Sequence, residues 1–289
     1  MRKLWCLFFM IWPILAIVTC WISPAMNWGF PYGNASASTL GVQIDGLYYL
    51  ILIIVSVAFV GTQLGLCYAL WRGSADTGGK ALFIHGSHNL EVIWTIVPSG
   101  ILLFISLYQL DVWAQYRVTS QFPEEARIAP IAEVTARQFE WRIRYPDPER
   151  DLSSEAAVED WLRNPKPDDL YAVNDLHVPN NRPVQIRLRS GDVQHSFFVP
   201  ELRVKQDAVP GLVIPIWFEI HNTKEPDPKL NGVTYELLCA ELCGWGHYKM
   251  KARVVAQPEA SFREYLEQLK KEQFYDGVSE PSETSVAKN

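Results

Sequence analysis

The residues with the most chemistry in them crowd one short stretch near the C-terminus. It reads Cys239-Ala240-Glu241-Leu242-Cys243-Gly244-Trp245-Gly246-His247-Tyr248-Lys249-Met250. Two thiols, an imidazole and a thioether from a single loop offer soft sulfur and borderline nitrogen. Thiolate and thioether favour Cu(I), imidazole accepts both copper oxidation states, and a weak axial methionine tunes a copper potential. Gly244 and Gly246 give the backbone room to wrap a metal. The loop is incomplete alone. Of the six histidines in the chain, the best placed is His195, in Val193-Gln194-His195-Ser196-Phe197-Phe198-Val199-Pro200, where a strand is expected to end. A mononuclear blue-copper site uses one cysteine, two histidines and a weak axial ligand, which leaves one thiolate in excess. Two thiolates bridging two copper ions, each ion capped by one histidine, with Met250 and a loop carbonyl as weak axial donors, use the whole set. That is a dinuclear electron-transfer site. Three other readings stand beside it: a tetrahedral Cys2His2 zinc site with Met250 in the core, a Cys239–Cys243 disulfide, and an ordinary core role for His195.

The pattern Cys-x-Glu-x-Cys-x-x-x-His-x-x-Met, together with His195-Ser196-Phe197-Phe198-Val199-Pro200 and Lys205-Gln206-Asp207-Ala208-Val209-Pro210-Gly211, resembles subunit II of the haem-copper cytochrome c oxidases. Two matching segments at the family's separation are far more specific than either alone. The resemblance implies a CuA centre of two copper ions, with Cys239 and Cys243 bridging, His195 and His247 capping, and Met250 and the Glu241 carbonyl axial. It further implies that the Glu241 side chain faces subunit I and helps bind a magnesium ion there. Glu91, ahead of Trp94-Thr95-Ile96-Val97-Pro98, then matches a glutamate at the cytoplasmic mouth of a proton pathway. Read from the residues alone, Glu91 is an acidic group favourable to a helix N-terminus. One departure stands out. The family carries a tryptophan, the acceptor of electrons from cytochrome c, where this chain has Phe139, and only the next aromatic position, Trp141, is tryptophan. Phe139 and Trp141 are the candidates for electron uptake, against the plainer reading of both as core aromatics of a strand.

Something must hold this loop, and the chain divides accordingly. Its 289 residues are 48% hydrophobic with a formal charge of −6, but the long apolar runs fall in the first 110 or so positions. Nothing is basic enough for nucleic acid; the acidity of the remainder suits cationic partners. Arg2 and Lys3 precede an apolar stretch, so residues 1–22 read as a signal peptide or an additional transmembrane anchor. Residues 23–46 form an outer segment. Residues 47–71 carry no charge over about 25 positions, enough to cross about 30 Å of hydrocarbon at about 1.5 Å per residue. Residues 92–110 form a second span containing Pro98 and Gly100. Arg72 and Lys80 place the connector, 72–91, in the cytoplasm by the positive-inside rule. The expected location is a bacterial inner membrane, multi-pass, with the soluble domain in the periplasm.

Past Asp111 the hydrophobic period changes to two. Gln138–Tyr145, Val184–Leu188, Val213–Ile220 and Arg253–Ala256 read as half-buried strands between Pro, Gly and Asn turns. Residues 111–260 are thus expected to form a β-sandwich or a Greek-key barrel, and the resemblance makes it a cupredoxin-like Greek-key sandwich. An acidic, proline-rich insertion at 147–170 reads as an exposed loop with a short helix around Ala156–Leu162. Phe262, Tyr265, Leu266 and Leu269 predict an amphipathic helix over 261–275 with Ser261 as N-cap, followed by a polar, disordered tail at 276–289. The fold class is therefore membrane-anchored all-β: a transmembrane helical hairpin followed by a cupredoxin-like Greek-key β-sandwich.

The function implied is the electron-input subunit of a respiratory terminal oxidase. It takes electrons from cytochrome c and passes them to haem in subunit I, where oxygen is reduced and protons are pumped. Subunit I is an obligate partner, because the apolar stretches hold no set of histidines able to bind haem, and the resemblance implies subunit III as a further one. A membrane-tethered copper-delivery or storage module is the alternative from another class.

Overall fold

The computed structural model describes residues 2–23, 25–26, 28, 36–74, 83, 85–127, 129–221 and 224–273. The connector around Lys80 and the tail at 276–289 lie outside the described residues. Two compact units emerge, one of residues 1–35 and 42–114, the other of residues 36–41 and 115–289.

The first unit is helical. Helix α1 spans Arg2–Ile22, α2 Thr39–Ser74 and α3 His88–Tyr108, with a short α4 at Leu110–Arg117. Three stretches, Leu4–Ile22, Thr39–Gly73 and His88–Arg117, are long and apolar enough to cross a membrane. The Cys67 thiol reaches the Cys6 carbonyl at 3.4 Å. Hydroxyls inside α3 turn back on their own backbone, Thr95 to the Glu91 carbonyl at 2.8 Å and Ser99 to the Thr95 carbonyl at 2.7 Å. This satisfies the hydroxyls without a water partner, as an apolar surrounding requires. Helix α3 starts at His88, so Glu91 stands in its first turn rather than ahead of it. Charge marks where a span leaves lipid, whereas helix hydrogen bonding continues past it; α2 accordingly begins at Thr39, ahead of the uncharged run.

The second unit is a sandwich of two five-stranded sheets. One has the order β3-β2-β1-β5-β8, built from β1 Ala132–Arg137, β2 Glu140–Tyr145, β3 Leu170–Val173, β5 Pro183–Ser190 and β8 Val213–Glu219. The other has the order β4-β10-β9-β6-β7, built from β4 Asp175–Pro179, β6 His195–Val199, β7 Val204–Ala208, β9 Val233–Cys239 and β10 Lys251–Gln257. The pairs β1/β5 and β4/β10 are parallel, the rest antiparallel. Alternation drives the packing. Val233, Tyr235, Leu237 and Cys239 of β9 point inward and join Trp141, Ile143, Ile186, Leu188 and Phe197 in one core. Strand β2 starts at Glu140, not Gln138: Arg137 pairs with Glu140, which leaves Gln138 and Phe139 as the turn between β1 and β2.

The acidic insertion is a packed element rather than a plain solvated loop. Helix α5, Glu155–Arg163, is capped by the Ser154 hydroxyl, which accepts from the Ala157 amide at 3.2 Å. Leu152, Val158 and Trp161 form a small core of their own. Asp169, fully buried, accepts from the Arg144 guanidinium at 2.8 Å and from the Trp161 indole at 2.9 Å. Arg144 also meets Glu133 at 2.7 Å and lies over the Trp161 ring. Helix α6, Glu259–Gln273, starts two residues before the expected N-cap, so Ser261 is a buried helical residue. Its hydroxyl meets the Asn231 amide, and the helix packs on β3 and β4, with Tyr265 stacked 3.6 Å from His177.

Candidate metal centre

Three elements bring the donors together. Cys239 is the last inward position of β9, His195 the first residue of β6, and these strands pair through Phe197 and Cys239. Cys243, His247 and Met250 come from the loop that leaves β9 and returns as β10. Cys239 Sγ lies 3.9 Å from His195 Nδ1 and 3.9 Å from Cys243 Sγ. Cys243 Sγ lies 3.6 Å from His247 Nδ1 and 3.8 Å from Met250 Sδ. The Glu241 carbonyl oxygen is 3.2 Å from Cys239 Sγ. All six donors of the sequence reading therefore meet at one place.

Their chemistry fits metal. Sulfurs 3.9 Å apart are too far for a disulfide of about 2.05 Å, and both cysteines are free. They are close enough to share ions, because thiolates at about 2.3 Å from one metal can stand up to about 4.6 Å apart. Each sulfur has an imidazole beside it, His195 for Cys239 and His247 for Cys243. His195, Cys239 and Cys243 hold donor atoms all within 4.8 Å of one another, and His247 falls outside that group. Four donors converging on one tetrahedral ion, the zinc reading, would put both imidazoles in it. Most of the site is dry: His195 is 0%, Met250 1%, Cys243 4% and Cys239 9% exposed, and His247 is half-buried.

Electrostatics point the same way. Burial works to raise the Cys239 thiol, but the His195 side chain, the backbone at Ser196 and Glu241 and the His247 side chain outweigh it and bring the thiol down to about 6. Burial and the neighbouring Cys239 charge push Cys243 up to about 11. Two anionic sulfurs this close repel unless a cation lies between them, and a bound metal ion reverses the balance.

Supporting groups fix the ligands. His195 Nε2 lies 2.8 Å from Asp192 Oδ1; with Nε2–H donating there, Nδ1 keeps its lone pair for the metal, as outer carboxylates do for metal-bound imidazoles. Asp192 is itself held by the amides of Gln138 at 2.8 Å and Val193 at 2.7 Å. Gln138 Nε2 donates to the Cys243 carbonyl at 2.5 Å. Gly244 adopts φ +129°, and a Cβ on Gly246 would collide with the Phe139 ring. Glycine is needed at both positions for different reasons, backbone conformation in one and close approach in the other.

The remaining candidates fall into two places. Trp141 is wholly buried, edge-on to Phe197 at 5.7 Å and 6.5 Å from the His195 ring, and its indole nitrogen has no partner among the described residues. Phe139 is half-buried, with its ring against Gly244 and Gly246 and edge-on to Trp245 at 5.2 Å. Glu91 belongs to the helical unit, exposed on α3. Asp192 and Gln138 were not singled out from the sequence. Only Asp192 carried a signal there, a carboxylate three positions before a candidate ligand.

Family models match on both sides of the unit boundary. "Cytochrome C oxidase subunit II, transmembrane domain" matches residues 25–112, and "Cytochrome C oxidase subunit II, periplasmic domain" matches residues 131–257. The alternative cytochrome c oxidase subunit 2 of Bradyrhizobium diazoefficiens is 31% identical over 261 residues, 86% of this chain and 84% of that one. Cytochrome c oxidase subunit 2 of Cereibacter sphaeroides is 32% identical over 254 residues, 81% of this chain and 78% of that one. The solved periplasmic domain of subunit II of the Bradyrhizobium japonicum oxidase aligns with a TM-score of 0.37 and 22% identity, over 49% of this chain and 93% of that one. With apolar helices, a β-sandwich and a cysteine-histidine-methionine cage already in view, these matches make the chain a member of the cytochrome c oxidase subunit II family, the copper-bearing electron-input subunit of the haem-copper terminal oxidases.

Proposed function

We propose that Cys239 and Cys243 bridge two copper ions in this chain, that His195 and His247 cap one each, and that Met250 and the Glu241 carbonyl are the weak axial donors. The observation that carries this reading is the presence of an imidazole beside each buried sulfur, His195 at 3.9 Å from Cys239 and His247 at 3.6 Å from Cys243. When bound, such a pair supplies one-electron redox chemistry. The chain's part is rigidity and exclusion of water. Asp192 locks the His195 ring, Gln138 ties the loop carbonyl of Cys243, and the strand pairing of β6 with β9 fixes Cys239, so little has to move when charge changes.

Electrons come, in this reading, from a c-type cytochrome at the face of the β1–β2 turn, where Phe139 lies with Trp141 buried behind it, and leave to haem in subunit I. Subunit III is a further partner. In this reading the Glu241 side chain, half-exposed beside the cage, shares a magnesium ion with subunit I. Glu91 serves the mouth of a proton pathway. The sandwich stands on the periplasmic side of a bacterial inner membrane, where a soluble cytochrome reaches it. The burial of both sulfurs disfavours the copper-delivery alternative, which needs an open, exchangeable site.

Metal analysis of the full-length chain tests the ligand set. The intact chain is expected to hold two coppers. A Cys243→Ser variant, left with one thiolate, is expected to lose at least one of them. An intact chain with a single ion, or a variant that keeps both, would contradict the bridging role.

A further inference from the structure

We propose that Trp245 is the residue through which this chain takes its electron from the donor cytochrome. The inference rests on the copper-centre reading above and names the contact that serves it.

Most of the cage is closed: the sulfurs, His195 and Met250 are buried, and His247 is only partly exposed. A soluble donor therefore couples best through a side chain that touches both the cage and the solvent. Trp141 does not qualify, since it is 0% exposed. Phe139 is half-buried, and Trp245 lies against its edge. Trp245 is 80% exposed and sits in the metal loop itself, two residues from Cys243 and two from His247. Its ring meets Phe139 edge-on at 5.2 Å, and Phe139 packs directly on Gly244 and Gly246. The indole thus reaches the cage by two routes, along the backbone to the ligands on either side and across the Phe139 ring to the same loop.

A large aromatic group held in water on a rigid loop costs hydrophobic free energy unless something covers it. Leu242, 78% exposed, and Tyr248, 68% exposed, lie on the same loop. The Lys249 ammonium stands 5.9 Å from the Trp245 ring and 5.4 Å from the Tyr248 ring. A contact centred on tryptophan and flanked by apolar side chains is the kind that carries most of a protein interface's affinity. The occupant is a c-type cytochrome presenting its haem edge within an apolar rim. One electron leaves the donor's ferrous haem, which becomes ferric, and reduces the copper pair by one. Trp245 mediates without itself being oxidised, and no proton moves.

The test uses the full-length chain in the assembled oxidase, with Trp245→Leu, Trp245→Phe and Phe139→Leu. Three quantities are read: the bimolecular rate of reduction by ferrocytochrome c, the rate of onward transfer from copper to haem, and the affinity of the metal-free full-length chain for cytochrome c. Trp245→Leu is expected to slow uptake and weaken the metal-free affinity, each by about ten-fold or more. The copper resonance spectrum and onward transfer should stay unchanged. Trp245→Phe should recover most of both losses, and Phe139→Leu should cost less than Trp245→Leu. Uptake within about two-fold of the intact protein in Trp245→Leu would overturn the proposal. So would a larger loss in Phe139→Leu, or failure of Trp245→Leu to assemble with the haem subunit, which would make the indole a subunit contact. An intact chain that binds no copper would refute the copper-centre reading instead, a result distinct from all of these.

Discussion

The six donor residues divide the work in a way their types alone do not reveal. Cys239 and Cys243 carry the same side chain but opposite proton affinities, about 6 and about 11, because the first is met by His195 and backbone groups while the second is buried beside its neighbour's charge. Between those values the pair holds about one proton, and below the lower one it holds two. Metal must displace those protons, so copper uptake should release about one proton from the thiols near pH 8, and affinity should fall as pH drops through about 6. Calorimetric titration in buffers of different ionisation enthalpy measures this directly; a proton count independent of pH would contradict it. Met250 has a different part. It is 1% exposed, with its sulfur 3.8 Å from Cys243. Met250→Leu conserves volume at a cost below about 1.5 kcal/mol and removes only the thioether. That variant should keep both coppers with a shifted midpoint potential in a redox titration, whereas loss of metal would make Met250 a structural requirement. Five of the six donors were legible in the sequence because their spacing is local, and His195 because a second segment matched beside them. Asp192 was not, because a carboxylate three positions before a histidine has no meaning until the turn brings it onto the ring nitrogen and under the Gln138 amide.

At the scale of elements, the alternating patterns located β2, β5, β8 and β10, and the short helix expected around Ala156–Leu162 is α5. Two boundaries shifted for physical reasons: Gln138 and Phe139 are needed as a turn, and α6 starts at Glu259, ahead of Ser261. The larger surprise is the insertion between β2 and β3. Its acidic composition suggested a solvated loop, but Asp169 is the buried partner of Arg144, and Asp147, also buried, pairs with Lys270 at 2.5 Å. Composition does not distinguish an acid that faces water from one that neutralises a buried guanidinium on another strand. Removing one side of such a pair leaves the other uncompensated. Asp169→Ala should therefore lower unfolding stability by about 3 kcal/mol, read by thermal or denaturant melting, and leave the copper spectrum intact. A neutral effect would mean that Arg144 is satisfied by Glu133 alone.

For the whole molecule, the division into an apolar helical unit and a sandwich followed from where the charges stop and start. The third helix long enough to span, α1, matches the stretch read as a signal peptide or anchor. The −6 formal charge bears on how the donor arrives. Glu149, Asp151, Glu155 and Asp168 remain exposed on the insertion. Neutralising these four should slow uptake from a lysine-rich cytochrome c several-fold at low salt, and the difference should vanish as the Debye length shrinks to about 8 Å near physiological ionic strength and below it at higher salt. Stopped-flow rates across ionic strength check it; identical slopes would remove any steering role for the insertion. All of this depends on two metal ions sharing one cage, and electron paramagnetic resonance of the copper-loaded full-length chain tests that claim most directly. One unpaired electron spread over two copper nuclei is the expected signal, and a single localised Cu(II) spectrum, or a silent ion bound one to one, would contradict it.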